Sequence, residues 1–254
     1  MKRLLLCLAL ASGLQGATFF SCVASGNWSA SSSWAATDGG ACSAGVPGDG
    51  DKAVIKFTHV ITVDVDTTVG QSAASGVDPV TGNTAIQIGN AASAAPNSGG
   101  IVIASGKKLH VRGYLTVRGS AGGDRSLNWC PVTIRDDSVL EFVSSAATTP
   151  ASQKYAFAPD PATTVLDNDL VFCTANTSAG HVATITSNAG GGNGWSNGFV
   201  AASGIGFYHH LSYADFINFG DATNPALLIH NFSVDLGTSA EVGTIDHVRF
   251  ITSG

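Results

Sequence analysis

The stretch from Ala53 to Val63, AVIKFTHVITV, carries two apolar pairs eight residues apart, Ala53 with Ile55 and Ile61 with Val63. The same template returns in IVIASGKKLHV, as Ile101 with Ile103 and Leu109 with Val111, and in VTIRDDSVLEF, as Val132 with Ile134 and Leu140 with Phe142. Apolar residues at alternate positions give a strand one buried face, and the polar residues between the pairs read as a turn. Three copies without an intervening helical pattern predict stacked coils of strand and turn. The fold class expected from this spacing is all-β, a parallel β-helix or solenoid.

Working outward, the composition agrees. Of the 18 acidic residues only Glu141 and Glu241 are Glu. Asp favours turns where Glu favours helices, and the chain also holds 31 Gly, so many tight turns join its strands. Residues 1–17, MKRLLLCLALASGLQGA, have two basic residues, an apolar run and small residues, the layout of a secretory signal peptide. The run is too short to span a bilayer. The expectation is a secreted or cell-surface protein without a transmembrane segment. The formal net charge is -6, and removing Lys2 and Arg3 makes it about -8. Such a chain is a poor partner for nucleic acid.

Residues 18–52 read as an N-terminal cap and lead-in, with Trp28 and Trp34 suited to closing the end of an apolar stack. Residues 53–254 read as coils. Within them Leu211 to Phe216 aligns with Ile245 to Phe250 at an offset of 34 residues, inside the range of one solenoid repeat. The offset predicts that Asp215 stacks on Arg249 and Tyr213 on His247. Gly254 falls in mid-pattern, so the coils are expected to be incomplete at the C-terminus. Beyond the signal segment Cys22, Cys42, Cys130 and Cys173 allow three disulfide pairings, of which we favour Cys22 with Cys42 and Cys130 with Cys173.

The run from Val46 to Asp64, followed by IQIGN and by IVIASGKKLHVRGYLTVRG, resembles the G8 domain and the start of secreted right-handed β-helix proteins of the pectate-lyase-like superfamily. Pro47, Gly50, Asp51, His59, Val63 and Asp64 match the pattern, whereas Thr58 stands where that family has Gly before the His. The resemblance covers Gly26 to Gly119. It implies a right-handed coil and an extracellular setting, on a fold that hosts lyases, hydrolases, adhesins and structural stalks alike.

Three sets of residues are candidates for function. Lys108, His110, Arg112, Tyr114 and Arg118 alternate with the apolar positions and so point outward; such a basic, partly aromatic row suits the carboxylates of an acidic polysaccharide. The same row also reads as solvated strand face that discourages edge pairing. Asp64 and Asp66, two apart on an expected strand, share one side and form a candidate calcium or acid-base pair, with routine turn chemistry as the other reading. Asp215, Asp246 and Arg249 lie on comparable coils and are the weak candidates for catalysis by a polysaccharide lyase or glycoside hydrolase. A structural Asp-Arg pair between coils is the reading preferred over catalysis. The leading expectation is a non-catalytic module that binds a polysaccharide or cell-surface glycan, or acts as an adhesin-like scaffold. The alternatives are an enzyme and a purely structural stalk. No cofactor is expected, calcium being the single candidate.

Overall fold

The structure is a computed structural model that describes residues 16–56, 58–70, 84–89, 99–117, 131–142, 157–159, 172–187, 210–217 and 244–251. In the first part of the chain the strands are β1 (Thr18–Ser21), β2 (Ser25–Asn27), β3 (Trp34–Ala35), β4 (Lys52–Ile55), β5 (Val60–Val63) and β6 (Thr67–Val69). The middle supplies β7 (Thr84–Ile88), β8 (Gly100–Ile103), β9 (Lys108–Val111), β10 (Tyr114–Val117), β11 (Val132–Arg135), β12 (Val139–Phe142) and β13 (Phe157–Pro159). The last part holds β14 (Phe172–Ala175), β15 (Ala183–Ser187), β16 (His210–Ile217) and β17 (Thr244–Ile251). Among the described residues the one helical element is a 3-10 turn at Ser31–Ser33.

The strands fall into a six-stranded and an eleven-stranded sheet. In the first, β4, β7, β10 and β13 follow one another in parallel beside β1. The second holds two such rows: β2, β5, β8, β11, β14, and β6, β9, β12, β15. The rows merge at β16, whose His210 pairs with Cys173 of β14 and whose Ala214 to Ile217 pair with β15. Among the described strands only β3 runs antiparallel, against β1. The chain is thus all-β, built of parallel sheets.

All twelve apolar positions of the opening template are buried to within 1% exposure, and they form one continuous core. The three copies are not in phase, however. Ile101 and Val132 pair in register with Ile61, not with Ala53, while Ala53 and Ile55 pair with Ile86 and Ile88 in the other sheet. Eight residues separate apolar pairs at two different corners of the chain, so the spacing alone does not distinguish them.

Parallel pairing also begins before Ala53: β1 pairs with β4 and β2 with β5, in the segment read as N-terminal cap and lead-in. Ser25, Gly26 and Asn27 of β2 have no apolar side chain to announce them. Trp28 and Trp34 are wholly buried in the core, their rings meeting edge to face with centroids 5.0 Å apart. Buried indoles need an acceptor for each N–H. Trp28 Nε1 donates to the Pro47 carbonyl at 3.1 Å, and Trp34 Nε1 to the Trp28 carbonyl at 2.9 Å. A disulfide joins Cys22 to Cys42 across this segment. Cys173 is also disulfide-bonded; its expected partner, Cys130, lies outside the described residues.

One corner shows why glycine is required. Gly70 has φ of +90°, and a Cβ there would lie 2.2 Å from Ala85 Cβ and 2.3 Å from the Arg112 carbonyl oxygen. Only a residue without a side chain lets the chain pass here between the two sheets.

Candidate functional site

The expected outward row from Lys108 to Arg118 does not lie on one face. Lys108 and His110 occupy β9, where Leu109 and Val111 point into the core. The chain then turns at Gly113, whose φ is +125°, and Tyr114 opens β10 in the other sheet. Arg112 sits in the corner between them, and its Nη1 donates to both carboxylate oxygens of Asp49, at 2.8 and 2.9 Å. Arg118 lies outside the described residues. A row read as continuous is bent because its residues serve two sheets.

What the sheet brings together instead is a row across strands. Thr68, His110, Glu141 and Thr186 are in register on β6, β9, β12 and β15. His110 Nδ1 lies 2.6 Å from Glu141 Oε2, both side chains being about a quarter exposed. A second row runs Lys108, Val139, Thr184, Asp215 and Arg249, from β9 to β17. Lys108 is exposed, and its backbone N–H donates to Asp66 Oδ1 at 2.9 Å.

Asp64 and Asp66 are not on a strand. They occupy the corner between β5 and β6, where tight chain reversal leaves amides to be satisfied. Asp64 accepts from the Ser29 amide at 3.0 Å and from the Ser29 hydroxyl at 2.6 Å. Partial burial pushes its carboxyl up, but the Ser29 hydrogen bonds, one to its own backbone and the Lys107 charge together hold it below the usual range. Both carboxylates therefore tie neighbouring segments together. Asp51, one of the resemblance positions, does the same, accepting from the Ala17 and Gly48 amides.

A carboxylate cluster that the sequence reading missed stands farther along the same set of corners. Asp136 and Asp137 form the turn between β11 and β12, and His181 the turn before β15. One ligand atom from each lies within 4.8 Å of the others. His181 Nδ1 is 2.8 Å from Asp137 Oδ2, and this hydrogen bond raises the imidazole pKa. Asp136 accepts from the Ser105 hydroxyl. The run Arg135-Asp-Asp-Ser138 inside the third template copy marks the turn, but nothing in the sequence announces His181 as its neighbour. These are the residues that could hold a cation.

The candidates near the C-terminus are placed as the 34-residue offset predicts. Asp215 pairs in register with Arg249, whose Nε donates to Oδ1 at 2.7 Å and Nη2 to Oδ2 at 2.5 Å. Asp215 is only 7% exposed, so its charge is covered by the guanidinium. That contact raises the Arg249 pKa, the hydrogen bond to Asp215 being the larger cause. Tyr213 and His247 stack with ring centroids 4.4 Å apart and planes 14° from parallel. Both residues have positive φ, 50° and 51°, which bends each long strand where the preceding part of the sheet has a turn between two short strands. Asp246 is turned to His247, Oδ1 to Nδ1 at 2.6 Å, and does not join Asp215. The structure thus unites two of the three catalytic candidates in an ion pair.

No protein-family model, curated protein or solved structure matches the chain. Among the described residues no helix is long and apolar enough to cross a membrane.

Proposed function

We propose that the chain is a secreted right-handed parallel β-helix whose outer face binds an acidic polysaccharide without cleaving it. The observation that carries this reading is the in-register row from Lys108 to Arg249 on parallel strands. Four strand spacings at about 4.8 Å set these cations about 19 Å apart, with hydroxyl and carboxylate groups between them. A sugar polymer laid across the strands meets the exposed Lys108 at one end and the exposed guanidinium of the Arg249 and Asp215 pair at the other, and Thr184 and the Tyr213 and His247 rings offer a hydrogen bond and a stacking plane. The right-handed β-helix and the extracellular setting are supported by the repeating strand order and by the G8-like residues quoted above.

A lyase or hydrolase is the second reading, favoured by the Asp215 and Arg249 pair beside exposed Asp246. Asp215 is committed to Arg249, and Asp246 to His247, which leaves no carboxylate of this group aimed at a common point. One experiment separates the readings. The protein is mixed with acidic and neutral polysaccharides, with and without calcium, and followed for retention and for new reducing or unsaturated ends. Retention of acidic polymers without products, weakened by Lys108→Glu, is the expected result. New chain ends that vanish in Asp215→Asn would establish the enzyme. Binding to no polymer would overturn both and leave a structural stalk.

A further inference from the structure

β17 is the last strand of its sheet among the described residues, paired only with β16. Its side chains continue the columns of the interior. Leu109, Leu140, Ile185, Phe216 and Phe250 stand in register, and the first four are buried, whereas Phe250 is 51% exposed with only Phe216 stacked on it. Ile251 is 39% exposed. A core-facing aromatic residue left half in water, on a strand edge that has no partner among the described residues, is a surface that needs one.

The sequence of β17 says which partner fits. We propose that two copies of the chain associate through antiparallel pairing of their β17 strands, about a two-fold axis between His247 and Val248. In this register Asp246 of one copy faces Arg249 of the other, a pairing that occurs twice as a closed two-fold interface demands. The charge match is self-complementary, and the atoms that would meet are available. Arg249 uses Nε and Nη2 on its own Asp215, and Asp246 uses Oδ1 on His247, so among the described residues Nη1 and Oδ2 are uncommitted. The bend suits the symmetry as well. His247 has φ of 51°, giving β17 two arms that meet at a corner. A two-fold axis through that corner lays the second arm of one copy along the first arm of the other, antiparallel, without straightening either. An offset register would instead set one arm against the bend.

The test is the oligomeric state of the full chain, measured by sedimentation across a concentration series. A reversible dimer is expected, with a dissociation constant weakened about tenfold or more in Asp246→Lys, because the substitution sets two like-charge pairs across the axis. Asp246 is exposed and holds only its neighbour, so the far-ultraviolet circular dichroism of the variant should match the parent. Raised salt should weaken the parent dimer. A monomer throughout would overturn the proposal; protection of the β17 amides from hydrogen exchange in that monomer would show that another part of the same chain covers the edge. A dimer indifferent to Asp246→Lys would overturn it equally, since the copies would then meet elsewhere.

Discussion

Two residues show how small polar and steric details set the corners of the sheets. Ser21 is wholly buried, accepts a hydrogen bond from the Lys56 amide at 2.9 Å and lies 2.8 Å from His59 Nδ1. The hydroxyl and the imidazole are within hydrogen-bond reach, and the imidazole tautomer sets which of them donates. Burial first, and then the nearby Lys56 charge, lower the His59 pKa below its ordinary 6.5; a hydrogen bond to the Ser21 backbone and the Asp38 charge oppose this in part. A depressed imidazole pKa means that the unfolded chain binds the proton more readily. The contribution to stability is therefore intact above about pH 6.5 and is lost as the pH falls through that value toward the folded pKa. Thermal melts between about pH 8 and pH 5 should show a fall in Tm that His59→Gln reduces; the same fall in the variant would discount His59 as the source. Gly70 supplies the steric counterpart. Gly70→Ala should cost about 1–3 kcal/mol in urea unfolding, from its positive φ and from the clash with Ala85 and the Arg112 carbonyl. A cost near zero would mean that the corner yields easily.

Among elements, the first strands depend on the segment that precedes β4. β1 and β2 each pair with one parallel strand, β3 covers the other edge of β1, and Cys22 to Cys42 closes a 20-residue span around them. Closing a loop of that length restricts the unfolded chain by about 3 kcal/mol. Cys22→Ser with Cys42→Ser should lower the unfolding free energy by that order, read by urea titration against the oxidised parent; an unchanged midpoint would place the stabilisation in the Trp28 and Trp34 packing instead. This region also marks how far the sequence could be read. Alternating apolar residues revealed β4, β5, β8, β9, β11 and β12, because burial of one face leaves a period of two. The 34-residue offset likewise gave the pairing of Asp215 with Arg249. β2 was invisible because its Ser, Gly and Asn contribute backbone pairing alone. The phase of the template was lost because similar spacings arise at two corners. The outward row from Lys108 to Arg118 is divided where Gly113 turns the chain from one sheet to the other, and the proximity of Asp136, Asp137 and His181 is a product of stacking over some 45 residues of separation.

At the scale of the molecule, parallel strands stacked in register make each layer depend chiefly on the ones directly above and below. The column Leu109, Leu140, Ile185 and Phe216 is a continuous line of buried side chains in the eleven-stranded sheet, with Phe142 set beside it on Val111. On the parallel β-helix proposed above, stability is close to a sum of layer terms and nearest-neighbour terms. Leu140→Ala removes methyl groups from the middle of the line, at a cost of about 2–5 kcal/mol through lost burial and the cavity left behind. Nearest-neighbour coupling gives that loss a pattern. Hydrogen exchange should accelerate in β12 and in its partners β9 and β15, while β1 and β4, which share no register with position 140, keep the protection of the parent. A molecule that unfolds as one cooperative unit behaves otherwise: the slowest amides of every strand would lose the same protection together. Residue-resolved exchange on the parent and Leu140→Ala thus measures the coupling directly. Local loss would mean that a ligand bound across β9, β12 and β15 stabilises its own layers first, whereas uniform loss would mean that the parallel sheets fold and fail as a whole.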